Sequence, residues 1–486
     1  MRLRGVVLGV MLVVVGCLAV ISWADEPTIF DQGVAAYEKG DFTAAKELFV
    51  KALAERPDHP VIMCWLGSAA LQANDLADAE NYLKQALVKQ PKYPEAHNNL
   101  GNVYLAQGKL DQARAEYEKA LEQNPDYADA RYNQANLYAR LKQWDKAFNE
   151  FNKALELSPQ DVNVHINFGQ ALWQAERYDK AIREYETANK LRPNSADILG
   201  ALGILYVTTG DNAAAAKAYR QSVAADAENA ETQLGLGIAL YNIGEYEAAV
   251  AALKAASALD KQNFAAHYNL GLAHAATSDM AAAEQAYRAA LEVRPGDARC
   301  LNNLGWALQQ LGRPGDAIEP LEKAVKADPE LAMASVNLAL AYEQSGDKSG
   351  AQKQWEAAVA AFPKSSEAHF GLAGNYHSAG EKDKALQEYL VALSIDENSA
   401  EAHNNVGLIY LEREKYVEAG AHFRIALKQN PTSANAANNL GVALERQGKI
   451  DDAKKMYNSA LELDEACEPA RKNLERLAPA AESATG

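Results

Sequence analysis

The sequence predicts an all-α protein built from one repeated pair of helices, and three observations carry that prediction. Ala, Leu, Glu, Lys and Gln dominate while Val and Ile are sparse after residue 21, so the chain favours helix and has little material for a sheet. The chain aligns on itself with a period of 34 residues. Within each period, apolar and small residues recur at spacings of 3, 4 and 7, the pattern of two amphipathic helices.

The period runs from residue 26 to residue 467 without insertion or deletion, giving 13 blocks. They begin at Glu26, Pro60, Pro94, Ala128, Val162, Ala196, Ala230, Phe264, Ala298, Ala332, Ser366, Ala400 and Ala434. In the third block Leu100 and Gly101 stand at positions 7 and 8, Tyr104 at 11, Gly108 at 15, Ala113 at 20, Tyr117 at 24, Ala120 at 27 and Pro125 at 32. The glycines near position 15 predict the turn between the two helices, and the terminal prolines predict the end of the second. Position 8 is Gly or Ala and position 20 is Ala in every block, while position 24 carries Phe, Tyr, Trp or Leu. Small residues facing large ones let two antiparallel helices pack closely and stack on the next pair.

Some blocks depart from this pattern. The terminal proline is replaced by Ala227, Lys261, Glu397 and Glu465 in four blocks. In the ninth block Pro314 opens the second helix, but Pro320 lies inside it, which predicts a local kink. After the last block, residues 468–477 predict one more helix with a polar surface, as a cap on an open end should have. The tail 478–486 is small and polar and predicts disorder.

These residues resemble the tetratricopeptide-repeat pattern over about nine tenths of the chain. The resemblance implies a right-handed superhelical solenoid of 13 helix-turn-helix repeats plus a C-terminal capping helix, with a concave groove lined by the first helix of each repeat. It implies no one function, because the same scaffold serves many processes.

Under that resemblance, position 6 faces the groove. It reads Asn99, Asn133, Asn167, Asn269, Asn303, Asn337, Asn405 and Asn439 in eight of the 13 blocks, although Asn is a poor helix former. The row is similar to the asparagine ladder of the superhelical domain of O-linked N-acetylglucosamine transferase, which implies grip on the backbone of an extended peptide. An amide offers a donor and an acceptor that match a peptide unit. With hairpins stacked about 10 Å apart and a ligand advancing about 3.3 Å per residue, one rung meets every third residue. The alternative reading has these asparagines bonding neighbouring helices and setting the repeat geometry. Asn98, Asn102, Asn136 and Gln170 add amides at positions 5 and 9, and Tyr132, Tyr241, Tyr268, Trp173 and Trp306 add aromatic surface. Ala201, Gly235 and Gly371 interrupt the row. A carboxylate clamp of Lys and Arg from neighbouring first helices is not evident.

Composition narrows the partners. The formal charge is −17, which repels phosphate backbones, disfavours nucleic acid and favours a soluble monomer. Five histidines at position 4 stand a repeat or more apart, too far for shared metal ligation, and read as satisfied interface residues. Beyond Cys17, the thiols Cys64, Cys300 and Cys467 read as buried and inert. The chain contains no phosphate loop and no nucleophile or zinc motif, and the repeats leave no room for a catalytic domain, so neither enzyme nor cofactor is expected.

The N-terminus reads as an export signal. Arg2 and Arg4 precede an apolar run from Gly5 to Ile21 and the small-x-small site Ser22-Trp23-Ala24. Cleavage after Ala24 takes the net charge from −17 to −19. Val14-Val15-Gly16-Cys17 also resembles a lipobox with Cys17 as the lipidated residue, and the run is long enough for an uncleaved anchor. Each of the three fates sends the repeats out of the cytoplasm, touching the membrane only through the N-terminal segment. The sequence therefore predicts an exported, non-enzymatic scaffold of a bacterial cell envelope that binds extended protein segments in its groove. Two alternatives remain open at this point: a structural assembly factor for a secretion, pilus or polysaccharide-export machine, and a repeat subunit regulating a separate glycosyltransferase.

Overall fold

The structure, a computed structural model, describes residues 28–477. Among them are 27 helices and no strand. The N-terminal segment with Cys17 and its three fates, and the tail 478–486, lie outside the described residues.

The helices fall into pairs. They are α1 (Ile29–Glu38) with α2 (Phe42–Glu55), α3 (Pro60–Gln72) with α4 (Leu76–Lys89), and α5 (Pro94–Ala106) with α6 (Leu110–Gln123). Next come α7 (Ala128–Arg140) with α8 (Trp144–Leu157), α9 (Val162–Gln174) with α10 (Tyr178–Leu191), and α11 (Ala196–Thr209) with α12 (Asn212–Ala225). The seventh pair is α13 (Ala230–Asn242) and α14 (Tyr246–Leu259). The chain continues with α15 (Phe264–Ala276) and α16 (Met280–Val293), α17 (Ala298–Gln310) and α18 (Pro314–Ala327), and α19 (Ala332–Ser345) and α20 (Lys348–Ala361). The last pairs are α21 (Ser366–Ser378) and α22 (Lys382–Ile395), α23 (Ala400–Glu412) and α24 (Tyr416–Gln429), and α25 (Ala434–Arg446) and α26 (Ile450–Leu463). A single helix, α27 (Glu468–Leu477), follows. From the second block onward, each first helix starts at the residue where its 34-residue block starts.

The turn between paired helices is made the same way throughout. Position 15 adopts positive φ in all 13 repeats, with glycine in eight and Asn74, Lys142, Glu176, Ser278 and Glu414 in the others. The second helix then often starts on an aspartate cap, such as Asp211 accepting from the Ala214 N–H at 2.9 Å. In the ninth repeat Pro314 occupies the first turn, and α18 continues as one helix through Pro320.

The described chain divides into two compact units whose boundary falls within α13, after Ala239. In each unit the closest packing is between paired helices, and second helices such as α2, α4, α14 and α18 also pack on the first helix that follows. Within the first unit the core is a string of clusters, from Phe49 and Leu66 to Tyr185 and Leu205. A Cβ added at Gly101 would lie 2.6 Å from Tyr117 Cε1, so the glycine admits the ring. Within the second unit the core runs from Tyr287 through Trp355 to Tyr457 and ends on α27, where Ala470, Leu474 and Leu477 pack on the last hairpin. The alanine at position 20 is fully buried in every repeat, where any larger side chain would force the paired helices apart.

Candidate functional site

In about half of the repeats position 4 holds the first helix on the preceding loop. His97 Nδ1 lies 2.6 Å from Glu116 Oε2 and Nε2 lies 3.2 Å from the Pro91 carbonyl. His165 does the same with Glu184 and Pro159, and His369 with Glu388 and Pro363. Arg131 fills the same place, donating to the Pro125 carbonyl at 2.9 Å and to Glu150 at 2.7 Å. Burial pushes the Glu116 carboxyl up, but hydrogen bonds from His97 and Lys119 outweigh it and hold the group below its ordinary value. These histidines are interface residues with both ring nitrogens engaged. The thiols also behave as read from the sequence: Cys64, Cys300 and Cys467 are buried, and burial pushes Cys64 and Cys300 up to about 12.

Most of the asparagines at position 6 form a lateral seam. Asn133 Nδ2 donates to Asn98 Oδ1 at 2.9 Å, and Asn167 Nδ2 donates to the Tyr132 hydroxyl. In the second unit Asn303 donates to the Tyr268 hydroxyl at 3.3 Å, Asn337 to Asn302 at 2.8 Å, and Asn439 to Asn404 at 3.1 Å. Asn473 of α27 continues the seam onto Asn438 at 3.1 Å. Each acceptor is position 5 of the preceding first helix. Where position 5 is Phe370, Asn405 bonds Tyr389 at 3.1 Å instead. Asn269 donates to its own helix at the Ala265 carbonyl, 2.7 Å away, and Asn99 to Ser68 at 2.8 Å. Asn98, Asn99 and Asn133 are only 1%, 4% and 5% exposed, so they sit between first helices and not on an open surface.

The breaks in the row are packing features. A Cβ at Gly371 would lie 2.3 Å from Trp355 Cη2, and one at Gly235 would lie 2.5 Å from Tyr219 Cζ. The aromatic knob of the preceding repeat occupies the space that an asparagine side chain would need. Trp65 at the same position instead packs against Phe30, Tyr37 and Phe49, and Asp31 forms a capping box with Thr28.

One turn further along the first helices, the first unit opens into a cavity of about 600 Å³ formed by α3, α5, α7 and α9 and the turns that follow α3 and α7. Seven amides line it: Gln72, Asn74, Asn102, Asn136, Asn167, Gln170 and Gln174. Four of the sequence-predicted residues therefore meet here, namely Asn102, Asn136, Asn167 and Gln170, while Asn98, Asn99 and Asn133 lie beneath. Asn102 is 4% exposed, its Oδ1 accepts from the Tyr117 hydroxyl at 2.7 Å, and its Nδ2 has no partner. A buried donor without a partner costs about 1–3 kcal/mol, which an acceptor brought by a ligand would recover. Arg140 and Lys142, also lining the cavity, were not anticipated; Lys142 stands at position 15, which was read only as the turn between helices.

Among the described residues, no helix is long and apolar enough to cross a membrane, and no group of three or more His, Cys, Asp or Glu side chains could hold a metal ion.

Comparison with known proteins follows the repeats. Profiles described as tetratricopeptide repeats match residues 36–101, 98–162, 375–413 and 398–466. The profile of the cilia and flagella-associated protein 70 C-terminal domain matches residues 159–369. No curated protein matches the sequence. Among solved structures, MamA is 30% identical, over 34% of this chain and 96% of that one, with a TM-score of 0.33. Yeast Tom70 is 18% identical over 86% of this chain and 94% of that one, with a TM-score of 0.40. YrrB, a TPR protein with an unusual peptide-binding site, is 21% identical over 40% of this chain and 99% of that one, with a TM-score of 0.34.

Proposed function

The chain belongs to the tetratricopeptide-repeat family, and from that premise we propose that it is an exported, non-enzymatic scaffold that binds extended segments of partner proteins in the amide-lined cavity of its first unit. The observation that carries this reading is the convergence of seven amides on one cavity, with Asn102 Nδ2 buried and unpartnered at its wall. An extended segment presents an alternating series of carbonyls and N–H groups, and an amide can answer either. Each such bond nets about 0.5–1.5 kcal/mol against the several kcal/mol needed to order the ligand. Several rungs together therefore give micromolar binding with weak sequence preference. Export rests on the basic, apolar and small-x-small order of residues 1–24, and it places the partners in the cell envelope.

The seam asparagines are poor targets for testing this, because removing Asn99 or Asn133 disturbs the packing between first helices. Asn136 and Gln170 are half-buried in the cavity wall and suit the purpose. In N136L/Q170L the shape is kept and two amides are lost. Capture of 12-residue peptides from a synthetic array by the purified chain should fall about tenfold, with the helical circular dichroism unchanged. Equal capture by the folded double variant would remove the cavity from the function.

A further inference from the structure

The same cavity has a charge character opposite to that of the chain. With 65 acidic residues against 48 basic ones, a surface cavity in this protein would ordinarily include carboxylates. None of its lining residues is Asp or Glu, and the only charged ones are Arg140 and Lys142. Arg140 ends α7 and Lys142 follows two residues later in the turn, so both cations stand at the turn end of the cavity. Both are exposed, and neither has an ion-pair partner among the described residues. Some other cations of the first unit are held, Lys46 by Asp75 and Asp78, Lys89 by Asp58, Lys119 by Glu116 and Lys153 by Glu150, so what sets Arg140 and Lys142 apart is their place at a cavity without carboxylates.

We propose that this cavity selects extended segments bearing Asp or Glu, with the side-chain carboxylate held between Arg140 and Lys142 and the adjoining backbone met by the amides. The proposal deepens the binding reading above and rests on it. Guanidinium and ammonium donors meet a carboxylate with charge-assisted hydrogen bonds, while the neutral amides tolerate varied flanking residues. The net charge of the whole chain repels an acidic segment at long range, so a preference for acid must come from a local site. Salt shortens the long-range repulsion more than it weakens a close pair, because the screening length is about 10 Å at 0.1 M.

A pool of random 12-residue peptides, acetylated and amidated at their ends, is passed over the immobilised chain at about 0.1 M salt, and the bound fraction is sequenced by mass spectrometry. The wild-type chain should enrich Asp and Glu roughly three- to tenfold, the range expected of two exposed charge pairs acting together. R140E/K142E should lose that enrichment while keeping its circular dichroism; Glu176 and Glu414 show that Glu is accommodated at the position of Lys142. Four outcomes overturn the proposal. Neutral or basic peptides bound equally by both forms would do so while leaving the groove as a binding site. Acidic enrichment that persists in R140E/K142E would place the selection elsewhere. Capture only from a second pool whose C-termini are left free would assign the cations to a chain end in place of a side chain. If the wild-type chain captures nothing from either pool, the binding reading falls with it.

Discussion

His422 stands where four other repeats place a glutamate, and that exchange gives one repeat its own response to acid. His403 donates from Nε2 to the Glu397 carbonyl at 3.2 Å, which leaves Nδ1 to accept from His422 Nδ1–H at 2.9 Å. The tautomers follow from that network, since a carbonyl can only accept. Protonating His403 would turn two N–H groups toward each other. Burial, and then the charge on His403, hold His422 below its ordinary value. At His422 the folded state therefore binds fewer protons than the unfolded chain, so this residue contributes stability above about pH 6.5 that is lost as the pH falls. H422E restores the partner that His97, His165 and His369 have. Denaturant midpoints should show H422E gaining on the wild type by on the order of 1 kcal/mol more at pH 5 than at pH 7.5. An equal gap at the two pH values would show that the pair does not sense acid. The pairing was partly legible: His97 with Glu116, Arg131 with Glu150 and His165 with Glu184 all share positions 4 and 23. The seam was less so, because which residue lies beside Asn133 depends on the register between α5 and α7, and no spacing within one repeat encodes that register.

At the scale of the element, the 34-residue period was legible because the packing repeats with it. Gly101 exists to admit Tyr117, and the same small-to-large pairing recurs at Gly169 with Tyr185 and at Gly407 with Phe423. Gly235 and Gly371 are also glycines, but they answer to the knob of the preceding repeat, so they looked like gaps in a ligand-binding row when they are contacts between hairpins. The turn offers a direct test of how much each position-15 residue matters. Glu414 holds φ at +60° with no side-chain partner required by the turn, and eight repeats use glycine there. The left-handed conformation costs a residue with a Cβ roughly 1–2 kcal/mol, partly offset by the extra freedom glycine has when unfolded. E414G should therefore stabilise the second unit by about 0.5–1 kcal/mol, and G448A, with φ at +78°, should destabilise it by a similar amount. Denaturant titration of the two variants checks the pair, and a loss of stability in E414G would mean that the glutamate makes a contact outweighing its backbone strain.

At the scale of the whole molecule, the scaffold was more legible than the site. A repeat array buries its core only between neighbours, so residues at positions 8, 20 and 24 announce the architecture many times over. The amide-lined cavity is built from side chains of several helices and the turns between them, and Arg140 at the end of α7 and Lys142 in the turn after it carry no apolar signal. The same logic makes the ends special, because a terminal hairpin has a face with no neighbour. In the second unit that face belongs to α25 and α26, and α27 covers it with Ala470, Leu474 and Leu477. Polar bonds fix the helix there: Asn473 reaches Asn438 at 3.1 Å, and Arg476 reaches Glu445 at 2.7 Å. The Arg476 guanidinium holds the Glu445 carboxyl below its ordinary value, even though burial pushes the other way. Removing residues 468–486 would strip this cover, expose apolar side chains such as Leu444 and Leu461, and leave Asn438 without its lateral partner. The loss should amount to on the order of 2 kcal/mol from the last hairpin, felt locally because each repeat is stabilised mainly by its neighbours. Hydrogen exchange should quicken in α25 and α26 while α15 to α18 keep their protection, and light scattering should reveal self-association through the bared face despite the net negative charge. Unchanged exchange in α25 and α26, with no self-association, would mean that the last full hairpin is closed without α27.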